Sequence, residues 1–131
     1  MAQGKEIKNI LIVDDDPVQT KLLERVLGEK GFRVTTATEA AVGLQAAMDD
    51  CPDLVILDVM MPVINGYNFC HILKSEEKQK NILIILITSR DKLEDVQIGM
   101  DMGADAYLTK PVDVQELLKT IKVVGSMANK N

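Results

Sequence analysis

The chain has 131 residues, of which 47% are apolar and 27% charged, with a net charge of −5 and a pI near 4.8. That is enough for one globular domain with its own core, and it excludes a kinase, a polymerase or a two-domain dehydrogenase. An acidic chain with 3% aromatic residues and no Trp also lacks the positive field and the stacking platforms that direct nucleic-acid binding requires.

The first strand is predicted over Asn9–Val13, and Asp16 followed by Pro17 marks the start of a helix, an acceptor at the N-cap with proline in the first turn. Val18, Leu22 and Val26 give that helix its period, and Gly31 closes it. A second strand is expected over residues 32–37, carrying Thr35 and Thr36. A helix capped by Thr38 follows, with Leu44, Ala47, Met48 and Cys51 on one face. The third strand reads over residues 53–57, and Gly66 permits the turn into the third helix, which carries His71, the single histidine, away from the strand ends. The fourth strand reads over residues 82–88. Leu93, Val96 and Met100 form the next helical face, ended by Gly103. The fifth strand spans Ala106–Thr109, and Asp113 with Glu116 opens a last helix through Val114, Leu117, Leu118 and Ile121, ahead of a frayed tail from Gly125.

The first, third and fourth strands are nearly unbroken apolar runs, as suits strands covered on both faces. The second and fifth carry threonines and Tyr107, polarity acceptable at a sheet edge. Right-handed crossovers then favour a five-stranded parallel sheet in the order 2-1-3-4-5, a doubly wound α/β sandwich of the flavodoxin-like (βα)5 type. The longest apolar run, residues 82–87, is too short to span a bilayer, and the amino terminus lacks the apolar stretch of a signal peptide. Cys51 and Cys70 have neither CxxC nor metal-type spacing, so both read as buried free thiols in a reducing cytoplasm.

Ligands in this architecture bind outside the carboxyl ends of the strands. There the sequence places Asp14, Asp15 and Asp16 after the first strand, Asp58 after the third, Thr88 and Ser89 after the fourth, and Lys110 and Pro111 after the fifth. Asp16 is accounted for as a cap. Asp14, Asp15 and Asp58 would crowd like charges at the switch point, a conflict that a bound cation relieves, and a small all-oxygen set leaving room for water suits Mg²⁺.

Residues 10–16 (Ile-Leu-Ile-Val-Asp-Asp-Asp), 53–66 (Asp-Leu-Val-Ile-Leu-Asp-Val-Met-Met-Pro-Val-Ile-Asn-Gly), 87–89 (Ile-Thr-Ser) and 103–111 (Gly-Ala-Asp-Ala-Tyr-Leu-Thr-Lys-Pro) together resemble the receiver (CheY-like) domain of bacterial two-component response regulators. The resemblance covers residues 8–124 and leaves 1–7 and 125–131 as tails. It implies that Asp58 accepts a phosphoryl group from a sensor histidine kinase or histidine phosphotransfer protein. It also implies that Asp15 ligates Mg²⁺ directly, Asp14 holds it through water and Met60 lends a backbone carbonyl. Thr88 becomes the hydroxyl that binds a phosphoryl oxygen, Lys110 the lysine that pairs with phosphate, with a cis peptide before Pro111, and Tyr107 the switch aromatic. Met60 and Arg90 are expected to lie over the phosphoryl group and to regulate its hydrolysis. The family pattern further implies a phosphoacceptor that catalyses only its own Mg²⁺-dependent phosphorylation and dephosphorylation. It assigns output to the fourth helix, fifth strand and fifth helix facing a downstream protein, and it allows a phosphorylation-dependent dimer.

Other aspartate chemistries fit less well. A phosphatase of the haloacid dehalogenase type resembles Asp-x-Asp after its central strand, and here Met60 stands at the second position. A flavin carrier of the same sheet order needs a phosphate-cradling loop after the first strand, where three aspartates would repel phosphate. A degenerate receiver that only binds proteins would not need the full set of Asp14, Asp15, Asp58, Thr88 and Lys110.

Overall fold

Runs of Ile, Val and Leu alternate with helix-period segments, and strand and helix accordingly alternate five times in the computed structural model, which describes residues 6–59, 66–89 and 96–128. The elements are β1 (Asn9–Val13), α1 (Pro17–Glu29), β2 (Arg33–Ala37), α2 (Ala40–Asp50), β3 (Leu54–Asp58), α3 (Gly66–Ser75), β4 (Leu83–Thr88), α4 (Val96–Asp101), β5 (Ala106–Thr109) and α5 (Val114–Met127). Every strand pair is parallel and the order is β2-β1-β3-β4-β5, as the apolar patterning predicts.

β3 and β4 are buried along their whole length, β1 is buried from Ile10 to Val13, and both edge strands are partly exposed. Successive residues of a strand point to opposite faces, so β1 feeds two cores. Leu11 and Val13 join Phe69 and Leu73 on the side of α2 and α3. Ile10 and Ile12 join Leu23, Leu27, Leu117 and Ile121 on the side of α1 and α5. Each such fully buried side chain contributes about 1.5–3 kcal/mol of transfer free energy.

Helix ends follow the residue chemistry at most positions. The Asp16 carboxylate accepts from the backbone N–H groups of Val18 and Gln19, and Asp113 accepts from those of Gln115 and Glu116. Gly31 and Gly103 adopt φ of 98° and 114°, the left-handed region that closes α1 and α4. Asp113→Ala is expected to cost about 1 kcal/mol, read as a lower urea midpoint at unchanged slope, and an unchanged midpoint would show the cap to be idle.

Four sequence expectations need correction. Strands 2, 3 and 4 each begin one residue later than predicted, because Phe32, Asp53 and Ile82 lie in the turns before them. Thr38 is not the cap of α2. That position falls to Glu39, whose side chain makes no capping bond, since burial of Ala40 against the core sets where the helix starts. Cys51 is exposed: α2 stops at Asp50, Cys51 takes a left-handed φ of 49°, and the helical period no longer governs where its thiol points. Its Sγ donates to the Lys78 carbonyl at 3.2 Å, while Cys70 is buried as expected. Finally, α5 continues through Gly125 to Met127 where a frayed tail was predicted, with Val124 and Gly125 buried and Ala128 packed against the α1/α5 core. Leu93, predicted on the fourth helix, lies outside the described residues. No helix among the described residues is long and apolar enough to cross a membrane.

Candidate functional site

Strand register brings the polar residues of the carboxyl rim together. Val13 is paired with Leu57, so the next residues, Asp14 and Asp58, come side by side at the crevice between β1 and β3. Asp58 is paired with Ile87 and Thr88 with Thr109, which sets Thr88 beside the acid and Lys110 one step beyond β5. The Lys110 backbone N–H donates to the Thr88 carbonyl at 2.8 Å and fixes where its side chain departs. The Lys110–Pro111 peptide is cis.

From the edge of the sheet the Lys110 side chain crosses β4. Its Nζ lies 3.2 Å from Asp58 Oδ2 and 3.5 Å from Asp14 Oδ2. Asp14 is 3% exposed and Asp58 5%. Burial pushes the Asp14 carboxyl up to about 6, helped by the nearby Asp58 charge and opposed by the Asp16 backbone N–H, which donates to Asp14 Oδ1 at 3.0 Å, and by Lys110. Burial alone would lower the pKa of Lys110, but the two carboxylates outweigh it and hold the ammonium above the ordinary lysine value.

Asp15 is exposed, and one carboxylate oxygen each from Asp14, Asp15 and Asp58 lies within 4.8 Å of the others. Among the described residues this is the one cluster of acidic, His or Cys side chains with such convergence. Asp16 takes no part, because its carboxylate is committed to the α1 cap. Thr88 is 2% exposed and its Oγ1 donates to the Ser89 carbonyl at 3.4 Å, a weak bond. Tyr107, 44% exposed on the edge strand, carries its ring at the surface. Met60 and Arg90 lie outside the described residues. His71 is exposed on α3, away from the rim.

Gly66 does more than ease a turn. A Cβ there would stand 2.8 Å from the Val59 Cα, and the Gly66 N–H donates to the Val59 carbonyl at 2.9 Å, so only glycine lets α3 begin this close to the residue after Asp58. Two carboxylates were not singled out from sequence. Asp53 accepts from the backbone N–H groups of Lys8 and Asn9 at 2.9 Å each. Asp105 accepts from the Ile84 N–H at 2.8 Å and lies 3.7 Å from Lys74 Nζ. Both tie strand starts together at the opposite end of the sheet, and an aspartate immediately before a strand was the available signal.

A family model for the response regulator receiver domain matches residues 10–122. The chain is 38% identical over 115 residues to Protein PilH of Pseudomonas aeruginosa, covering 88% of this chain and 95% of that protein. Among solved structures, the chemotaxis response regulator CheY4 of Vibrio cholerae is similar at a TM-score of 0.84 and 30% identity, over 91% of this chain and 99% of that one. The receiver domain of the sensor histidine kinase PA1611 of Pseudomonas aeruginosa, solved with a magnesium ion in its active-site cleft, gives a TM-score of 0.80 at 26% identity, over 90% and 97% of the two chains. The chain spans about half the length of other curated relatives that it matches, 48% of one and 51% of another. A match over nearly its whole length, on a sheet of the predicted order, establishes that the chain belongs to the response regulator receiver domain family of two-component signalling.

Proposed function

We propose that this receiver accepts a phosphoryl group on Asp58 from a phosphohistidine of a sensor histidine kinase or histidine phosphotransfer protein, in the cytoplasm, and reports it to a downstream protein through α4, β5 and α5. The observation that carries this reading is the Lys110 ammonium poised between the buried carboxylates of Asp58 and Asp14. An acceptor so placed already has a countercharge for the phosphoryl oxygens it will gain.

The donor set suits Mg²⁺: three carboxylate oxygens converge, all hard ligands, too few for a calcium cage and mutually repulsive without a cation. Asp15 would hold the ion directly, Asp14 through water, and Asp58 and the Met60 carbonyl would complete the protein's share. Bound there, the ion supplies neutralisation of charge on the transferring phosphoryl group.

An Asp58 carboxylate oxygen attacks phosphorus in line. The new P–O bond forms as the donor's P–N bond breaks, and the imidazole leaves with the bonding electrons. Attack of water on the same phosphorus restores Asp58 and releases inorganic phosphate, so the domain catalyses only its own phosphorylation and dephosphorylation. Incubation with acetyl phosphate and Mg²⁺ should add one acid-stable, base-labile phosphoryl group per chain. A chain that takes up none under these conditions would overturn the reading.

Thr88 links the acceptor to the surface. Its hydroxyl can exchange the weak bond to Ser89 for a charge-assisted bond to a phosphoryl oxygen, drawing the end of β4 inward and opening room for the Tyr107 ring to turn in. This new bond and the Lys110 contact are worth roughly 1–3 kcal/mol each, enough to reverse a modest conformational bias. Phosphorylation-dependent dimerisation is one readout that such a surface allows. Thr88→Ala is expected to accept phosphate still, yet to lose the backbone chemical-shift changes along α4 and β5 that beryllofluoride, a stand-in for the phosphoryl group, induces in the parent. Undiminished shifts in the variant would remove Thr88 from the switch.

A further inference from the structure

The amino-terminal end of the sheet, opposite the Asp58 rim, carries a trough that the phosphoryl chemistry does not use. At its centre is an apolar cleft of about 430 Å³ floored by Ile7, Phe32, Leu118 and Ile121, where the segments leading into β1 and β2 meet α5. The cleft shares Leu118 and Lys122 with a concavity along α5. It shares Ile7, Lys30 and Phe32 with another at the starts of β1 and β2, so the three make one continuous surface. Around the floor stand Lys8, Lys30, Arg33, Lys119 and Lys122, against two acids, Glu6 and Glu116. None of these five cations forms an ion pair with a described residue; of the described cations elsewhere, Arg25, Lys74, Lys80 and Lys110 do so and Lys21 and Lys78 do not. An acidic protein has gathered uncommitted positive charge around one apolar cleft.

We propose that this trough docks an acidic amphipathic helix of a partner protein, and does so in both phosphorylation states. A concave apolar floor suits the convex face of a helix, whose apolar residues at i, i+3 and i+4 enter the cleft while Asp and Glu on its flanks meet the lysines. A planar lipid surface does not reach the floor of a trough, and the lone aromatic, Phe32, makes no stacking ladder for a nucleic acid. A symmetric pair of copies would set the same five cations against each other, so repulsion opposes a two-fold dimer through this face. Because the cleft at its centre lies among the segments leading into β1 and β2 and the middle of α5, away from Asp58 and Thr88, its occupant acts as a tether and not as a reader of the switch.

The test uses a synthetic amphipathic helix with leucines on one face and glutamates on its flanks, titrated into the isotope-labelled protein. Saturable shifts are expected at Ile7, Phe32, Leu118 and Ile121, with the same affinity in the presence and absence of beryllofluoride. Lys30→Glu combined with Lys122→Glu, both exposed positions, should weaken binding about tenfold, and a lysine-flanked version of the peptide should not bind. Leu118→Ser removes part of the floor without touching charge, and it should weaken binding as well. Any of four results would overturn the proposal: no shifts in the trough, equal binding of the lysine-flanked peptide, tighter binding of phosphatidylglycerol vesicles than of the peptide, or trough shifts that grow with protein concentration alone, which would make a second copy the occupant.

Discussion

Asp58→Asn is expected to abolish phosphoryl uptake from acetyl phosphate, with no other carboxylate taking over. Asparagine preserves the shape of the side chain at the end of β3 but removes the nucleophilic oxygen pair. The neighbours are poor substitutes. Asp14 Oδ1 is engaged by the Asp16 N–H, its carboxyl is pushed up to about 6, and Asp15 stands exposed beyond the strand end. Lys110→Ala separates nucleophile from countercharge: it leaves Asp58 in place and should slow uptake about 10²-fold, the usual cost of removing one preorganised charge from a reaction centre. Intact-mass measurement after a timed incubation reads both variants. Parental labelling of Asp58→Asn would move the acceptor elsewhere, and parental rates in Lys110→Ala would make the 3.2 Å contact incidental.

Asp14→Asn should stabilise the metal-free fold by about 2–3 kcal/mol near pH 7.5. The Asp14 carboxyl titrates near 6 in the folded chain against 3.8 for the unfolded one, so folding favours its protonated form. The contribution of this group is therefore most favourable below pH 3.8 and is lost as pH rises through about 6, after which the ionised, buried carboxylate is a constant penalty. Asparagine keeps an oxygen to accept the Asp16 N–H and carries no charge, so its advantage should shrink as pH falls from 6 towards 4. Urea denaturation in EDTA at a series of pH values gives the curve. A stability difference independent of pH would show that the charge of Asp14 is already compensated, by Lys110 above all.

A second consequence of the same carboxyl concerns the metal. With Mg²⁺ held at the proposed site, protons would compete with it for Asp14, so apparent Mg²⁺ affinity should fall as pH drops through about 6, and Asp14→Asn should flatten that dependence. Mg²⁺ titrations at pH 7.5 and pH 5.5 would show it, and an equal ratio of affinities in parent and variant would place the titrating group elsewhere.

Much of this was legible along the chain because it is written in local chemistry. Apolar runs buried on both faces set β1, β3 and β4 at the centre, and threonines on β2 and β5 set the edges. Right-handed crossovers then left one sensible order, and with the order came the rim: residues that follow parallel strands collect at one end whatever the packing details. Asp14, Asp58, Thr88 and Lys110 could be placed together on those grounds alone. Other features depend on contacts between segments remote in sequence, which periodicity does not encode. That Lys110 reaches across β4 to two acids, and that Asp14 is the carboxyl held uncharged up to about 6, follow from burial and distance in three dimensions. So does the exposure of Cys51, which turns out because α2 ends one residue before it. The extension of α5 to Met127 and the cationic trough arise where Ile7, Phe32, Leu118 and Ala128 pack against the α1/α5 core. Sequence determined which residues face which end of the sheet; only tertiary packing decided which of them touch, because the free energy of burying a charge or an apolar side chain belongs to the neighbours that enclose it.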